Sequence, residues 1–141
     1  MQDCQMPPRS DDGSAEGGAF VERCNVLIKA GERRGRPFCT EPENYKQYME
    51  DVGFVDIQVE EKVWPFGPWM EEPRMKEIGL WSRANFIDGF EAIDRAEAAN
   101  GGERSKETVD AEHEAMVQDL MNPDVHCYVP VYFVSGRRPE V

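Results

Sequence analysis

No glycine in this chain lies where a phosphate-cradling loop would need it. A nucleotide-type cofactor in an α/β sheet relies on glycines straight after a strand, so that backbone amides and a helix amino end approach the ligand closely. Gly17-Gly18 lies in a polar loop, Gly31 and Gly35 sit at a helix end, and Gly101-Gly102 joins two helical stretches. The cysteines at 4, 24, 39 and 127 form no CxxC pair and no short ligand spacing, which speaks against a zinc ribbon or redox motif and leaves reduced, structural thiols. There is no apolar run near the ~20 residues that span a bilayer, and no basic and apolar blocks at the start such as a signal peptide carries. The chain therefore reads as soluble and intracellular, in the cytoplasm, with the nucleus left open. Basic residues are also scarce, sixteen Lys and Arg against twenty-eight Asp and Glu, for a net charge of -12. That charge disfavours nucleic acid and acidic membrane surfaces as partners.

What is present suits one folded domain of 141 residues, with 40% hydrophobic and 10% aromatic side chains. Met1 to Cys4 reads as a short strand, followed by a loop with a turn at Asp11-Asp12-Gly13-Ser14. Phe20, Cys24, Leu27 and Ile28 recur at helical spacing from Ala19 to Ala30, with Gly31 placed to stop the helix. The basic turn Arg33-Arg34-Gly35-Arg36 that follows reads as a solvated helix end, the alternative being a hold on a phosphate or carboxylate. A shorter helix is expected from Glu43 to Val52, ended by Gly53. Val55, Ile57 and Val59 then alternate with Asp56, Gln58 and Glu60, a strand with one face buried and one face wet or near a sheet margin, and so not a central one. Both prolines of Trp64-Pro65-Phe66-Gly67-Pro68-Trp69 lack a donor, so this stretch is expected as an aromatic loop outside the ladder. Pro73 opens a long helix through Ile93 that Gly79 and Gly89 weaken, and Ser105 caps another carrying Val109, His113, Met116, Val117 and Leu120. The segment from Cys127 to Val134 is apolar at nearly every position, as in a strand covered on both faces, and Pro130 implies a bulge or an unpaired edge.

Few residues could carry chemistry. His113 and His126 are the only side chains that ordinarily titrate near neutrality. His113 reads as a half-buried packing residue, whereas His126, beside Tyr128 at the mouth of the last strand, is the better candidate for a ligand contact. Trp64, Phe66, Trp69 and Trp81 could wall an apolar pocket, pack the core or form a protein interface. No Ser/His/Asp or Cys/His arrangement and no third metal ligand stands out, so catalytic residues stay unassigned and no metal is expected.

Several strings together resemble one family. These are Met1-Gln2-Asp3, Pro7-Pro8-Arg9-Ser10-Asp11-Asp12-Gly13-Ser14, Ala30-Gly31 with Gly35-Arg36-Pro37, and Glu50-Asp51-Val52-Gly53-Phe54-Val55-Asp56. Phe66-Gly67-Pro68-Trp69, Lys76-Glu77-Ile78-Gly79 and His126-Cys127-Tyr128-Val129-Pro130-Val131-Tyr132 follow in the same order. The set resembles the later half of the fungal LaeA-type S-adenosylmethionine-dependent methyltransferases. The resemblance implies an α/β fold, the C-terminal portion of a class I (Rossmann-like) methyltransferase sheet. Met1 to Cys4 would be strand five, Gly53 onward strand six, Val125 to Gly136 an antiparallel strand seven, and about 73–121 a helical insertion. Residues 1–141 would then be a single truncated methyltransferase-like domain.

Strands one to four and the cofactor loop have no counterpart in these strings. The family implies S-adenosylmethionine, but no cofactor-binding residue carries over, and the chain alone is not expected to bind it. Substrate-side positions do carry over by analogy: Trp69 and His126, with Trp81 and Tyr128 as neighbours, facing a small-molecule substrate. The expected function is that of a methyltransferase-family protein of specialised metabolism. The alternatives are a non-catalytic interaction or regulatory module that pairs through the uncovered edge of strand five, and a cofactor-free isomerase or cyclase.

Overall fold

The apolar segment near the end of the chain becomes the middle strand of a three-stranded sheet. The computed structural model describes residues 1–38, 41–99 and 104–139. In chain order these form β1 (Gln2–Cys4), α1 (Ala19–Arg33), a 3-10 turn (Pro42–Asn44), α2 (Tyr45–Asp51), β2 (Val55–Pro65), α3 (Pro73–Ala99), α4 (Lys106–Met121) and β3 (Tyr128–Arg137). The sheet order is β1-β3-β2, and β3 runs antiparallel to both neighbours, so β1 and β2 are parallel to each other. Val129, Val131 and Val134 are at most 2% exposed, which covers both faces of β3 as its unbroken apolar pattern requires. The polar alternation of β2 places it at the edge of this sheet, as expected. The face expected to be buried is not, since Val55 and Val59 are 37% and 44% exposed at a strand margin that no helix covers fully.

Two proline expectations change. Pro130 makes no bulge: it pairs with Val63, and its carbonyl accepts from Gln5 N at 2.8 Å. Nitrogen and carbonyl of one strand residue face the same side, so the missing donor points past the end of β1, where no ladder partner is lost. The irregularity lies instead between Val55 and Gln58, where Asp56 has a φ of 54°. The second correction concerns Trp64 and Pro65, which continue the ladder opposite Val129 and Tyr128. Phe66 N donates inward to Cys127 O at 2.9 Å, so Pro65, one residue earlier, turns its donorless nitrogen to the outer edge.

The first helix runs three residues beyond Ala30 because Gly31 is not its stop. Gly35, at φ 67°, ends it: Arg36 N donates to Gly31 O and Gly35 N to Glu32 O, the paired bonds of a left-handed helix terminus. Gly31 answers to packing, since a Cβ there would lie 2.6 Å from Arg36 O. The basic turn is exposed. The Glu43 to Val52 helix divides into the 3-10 turn and α2, and α2 buries no side chain; Val52 is 72% exposed. Gly53, at φ 88°, follows it as expected.

The core lies between one face of the sheet and helices α1, α3 and α4. Phe20, Phe66 and Phe86 meet edge to face at centroid separations of 4.6 to 6.0 Å, over Cys24, Met116, Leu120 and the valines of β3. Cys24 and Cys127 are reduced thiols inside this layer; burial pushes Cys127 up to about 12 and raises Cys24 as well. Cys39 lies outside the described residues. A buried ion pair that the sequence did not reveal joins Arg23 of α1 to Asp94 of α3, and His113 Nδ1 of α4 lies 3.1 Å from the other Asp94 oxygen. No helix among the described residues is long and apolar enough to cross a membrane.

The two doubtful glycines of α3 have opposite surroundings. A Cβ on Gly79 would sit 2.0 Å from the carbonyl oxygen of Gly67, whose amide donates to Gly79 O at 3.0 Å; Gly89 faces open space. Urea denaturation of Gly79→Ala should therefore show a loss of about 3 kcal/mol or more, while Gly89→Ala gains about 1 kcal/mol. Asp94→Ala removes the carboxylate that faces the buried Arg23 guanidinium, and the same measurement should show a loss of about 3 to 5 kcal/mol.

Candidate functional site

Because β3 opposes two parallel strands, its first residue lies at the same sheet end as the carboxyl ends of β1 and β2. Three segments meet there: the loop after β1, the loop after β2 and the residues leading into β3. In open α/β sheets ligands bind outside the carboxyl ends of the parallel strands.

Trp69, from the loop after β2, donates Nε1–H to Cys127 O at 3.2 Å, and its ring centroid lies 5.3 Å from that of His126. His126 Nδ1 lies 2.7 Å from Asp12 Oδ2, and its backbone N donates to Ser14 Oγ at 2.8 Å. Asp12 Oδ1 accepts from Ser14 N at 2.9 Å. Tyr128 OH donates to Asp11 Oδ1 at 2.7 Å, and its backbone exchanges hydrogen bonds with Arg9. Ala15, 5% exposed, seats the loop that carries these acids in the core.

Trp69, His126 and Tyr128 thus share one rim, whereas Trp81 does not join them and stands 71% exposed on α3. Phe66 is a core ring, and Trp64 packs against the core. The four aromatics therefore form no common wall, because β2 carries Trp64 on into the sheet and α3 turns Trp81 outward. From the sequence, Asp11, Asp12 and Ser14 are a turn and part of a string shared with the family, with no site role assigned. Their signal was the Asx-turn composition itself, which bends the loop so that its carboxylates face β3. Ser14, His126 and Asp12 are neighbours but no nucleophilic triad: the serine oxygen accepts from a backbone amide, and the imidazole engages the aspartate.

A carboxylate can only accept, so the neutral His126 ring carries its proton on Nδ1 and presents Nε2 as an acceptor beside the Trp69 face. Hydrogen bonds from Ser14 side chain and backbone, and then from His126, hold the Asp12 carboxyl down at about 2. The bond to Asp11 raises the Tyr128 hydroxyl above its usual range. This rim can orient a ligand through an aromatic wall and one imidazole acceptor.

It does not fit the methionine carboxylate of S-adenosylmethionine. The amides of Gln5, Arg9, Phe66 and Gly67 are all committed to backbone carbonyls. Phe20 N, at the start of α1, donates to the Asp119 carboxylate at 3.1 Å, so the chain's own anion fills the helix end that a ligand anion would use. Among the described residues no three His, Cys, Asp or Glu side chains gather as metal ligands. A cleft of about 700 Å³, lined by Gln2, Val59 and Phe133 among others, lies five residues farther along β3 from Tyr128, about 17 Å away at strand rise.

Because its folded pKa lies below the ordinary 3.8, Asp12 contributes stability that is fully present above that value and is lost as pH falls toward 2. Carbon-13 NMR should place the Asp12 midpoint near 2, and hydrogen exchange of residues 9–14 should rise over that interval in the native chain but not in Asp12→Asn.

No family model matches the chain, and no solved structure does. Curated relatives do match. The probable methyltransferase tdiE of Emericella nidulans is 31% identical over 140 residues, 99% of this chain and 44% of its own length. The protein-methionine methyltransferase laeA of Chaetomium globosum is 31% identical over 122 residues, 86% of this chain and 38% of its own. The secondary metabolism regulator LAE1 of Cochliobolus heterostrophus is 27% identical over 137 residues, 96% and 44% respectively. The chain spans less than half the length of each of these relatives. Along nearly all of its residues, then, this chain is a homologue of fungal methyltransferases, members of the LaeA/LAE1 family among them.

Proposed function

We propose that this chain is the substrate-side part of a methyltransferase of specialised metabolism, folded as one domain. Trp69, His126 and Tyr128 contact a small-molecule substrate, and α3 and α4 are the helical insertion beside it. The observation that carries this reading is the stacking of Trp69 on His126, two residues before Tyr128, at the carboxyl end of β1 and β2, where α/β sheets hold their ligands. Support for strands five, six and seven comes from topology: β3 opposes both β1 and β2, the antiparallel relation that the resemblance implied for the seventh strand. Methyltransferase homologues imply S-adenosylmethionine for the family. We place its binding in the part of the relatives' length that this chain does not span.

A second reading is an interaction module. β2 is an edge strand among the described residues, and Val55 and Val59 are 37% and 44% exposed along it, which invites pairing with another chain. Trp81 and Tyr48, also exposed, suit such a surface better than a pocket.

Isothermal titration of the purified chain with S-adenosylmethionine should give no measurable heat; micromolar binding would overturn the placement of the cofactor elsewhere. Light scattering after size exclusion separates the two readings. A dilute monomer supports the substrate-side reading, and a concentration-dependent dimer that Val59→Lys dissolves favours the interaction module.

A further inference from the structure

The buried ion pair of the helical layer opens onto a groove away from the rim. Arg23 and Asp94 are 3% and 6% exposed, and the two carboxylate oxygens of Asp94 divide their work, one to Arg23 and the other to His113 Nδ1 at 3.1 Å. The imidazole is 22% exposed, half in the core and half in a groove of about 390 Å³ between α3 and α4. That volume lies in the range of small-molecule sites, ~300–1,000 Å³.

The groove's own chemistry narrows what it takes. Val109 forms part of its wall. Its cations are already compensated on their own helices, Arg95 by Glu91 and Lys106 by Asp110, each at i,i+4 spacing. An ionic ligand would have to compete with these pairs, whereas a neutral one would not. Asp94 can only accept, so His113 in its neutral form donates from Nδ1 and leaves Nε2 as an acceptor. The Arg23 guanidinium, stacked 5.7 Å above the Phe90 ring, fixes the carboxylate from behind and with it the tilt of the imidazole. An acceptor held in place beside Val109, with Glu114 the one carboxylate of the lining outside these ion pairs and so repelling anions, suits a neutral hydroxyl on an apolar body.

We propose that the groove between α3 and α4 is a second ligand site that binds a neutral phenol-like molecule, with His113 Nε2 accepting its hydroxyl and Asp94 positioning the ring. It is built from elements other than those carrying Trp69 and His126, and it does not depend on the methyltransferase reading.

The chain has two histidines, so nitrogen-15 NMR of the imidazoles reports both sites at once. Titration of the full chain with 2-naphthol should shift the His113 ring signals saturably and leave those of His126 in place. The methyl ether of 2-naphthol, which has the same apolar body and no hydroxyl proton, should bind about tenfold more weakly. Val109→Trp fills the groove and should abolish the His113 shift. Equal shifts at both histidines, no saturable shift at His113, or equal affinity for naphthol and its ether would overturn the proposal, and the ether comparison stands even if Val109→Trp does not fold.

Discussion

The insertion of β3 between two parallel strands is the constraint on which the remaining structure depends. A strand paired on both edges and buried on both faces must be apolar throughout, and Val129, Val131 and Val134 meet that demand. One face then needs a helical layer, which α1, α3 and α4 supply through Phe20, Phe86, Phe90, Met116 and Leu120. The reversed direction of β3 also gathers the candidate site. His126 and Tyr128 precede or open β3, while Trp69 and Asp12 follow β2 and β1, and antiparallel pairing brings all of them to one sheet end.

Polar groups divide into two sets with different physics. At the rim Asp11, Asp12 and Ser14 hold His126 and Tyr128 by hydrogen bonds near water, where each bond adds little stability and fixes orientation. In the helical layer Arg23, Asp94 and His113 form a buried network in which a missing partner is costly. The first set ties loops to the sheet and the second ties three helices together. Asp119 adds a further link, since it caps α1 from α4 and so closes the helix end to external anions.

The family relationship and the structure bear on different questions. Homology reaches across nearly the whole chain and names a fungal methyltransferase lineage. The geometry describes a rim of aromatic and imidazole side chains and amides already committed within the protein. The relationship to methyltransferases is thus carried by sequence, and the geometry of the rim by hydrogen bonding.

Periodicity alone determined the existence and kind of nearly every element, because apolar spacing at 3.6 or 2 residues records which faces are buried. Local chemistry likewise determined the cap at Ser105 and the break at Gly53, and the apolar run of the last strand its burial on both faces. The tertiary structure alone decided that Gly31 and Gly79 are packing glycines, that Trp81 faces outward, and that Pro65 can end an edge strand. It alone brought Asp12 to His126 across 114 positions and Arg23 to Asp94 across 71. Local spacing cannot encode such pairs: they form only when strand direction and helix packing bring distant segments to the same place.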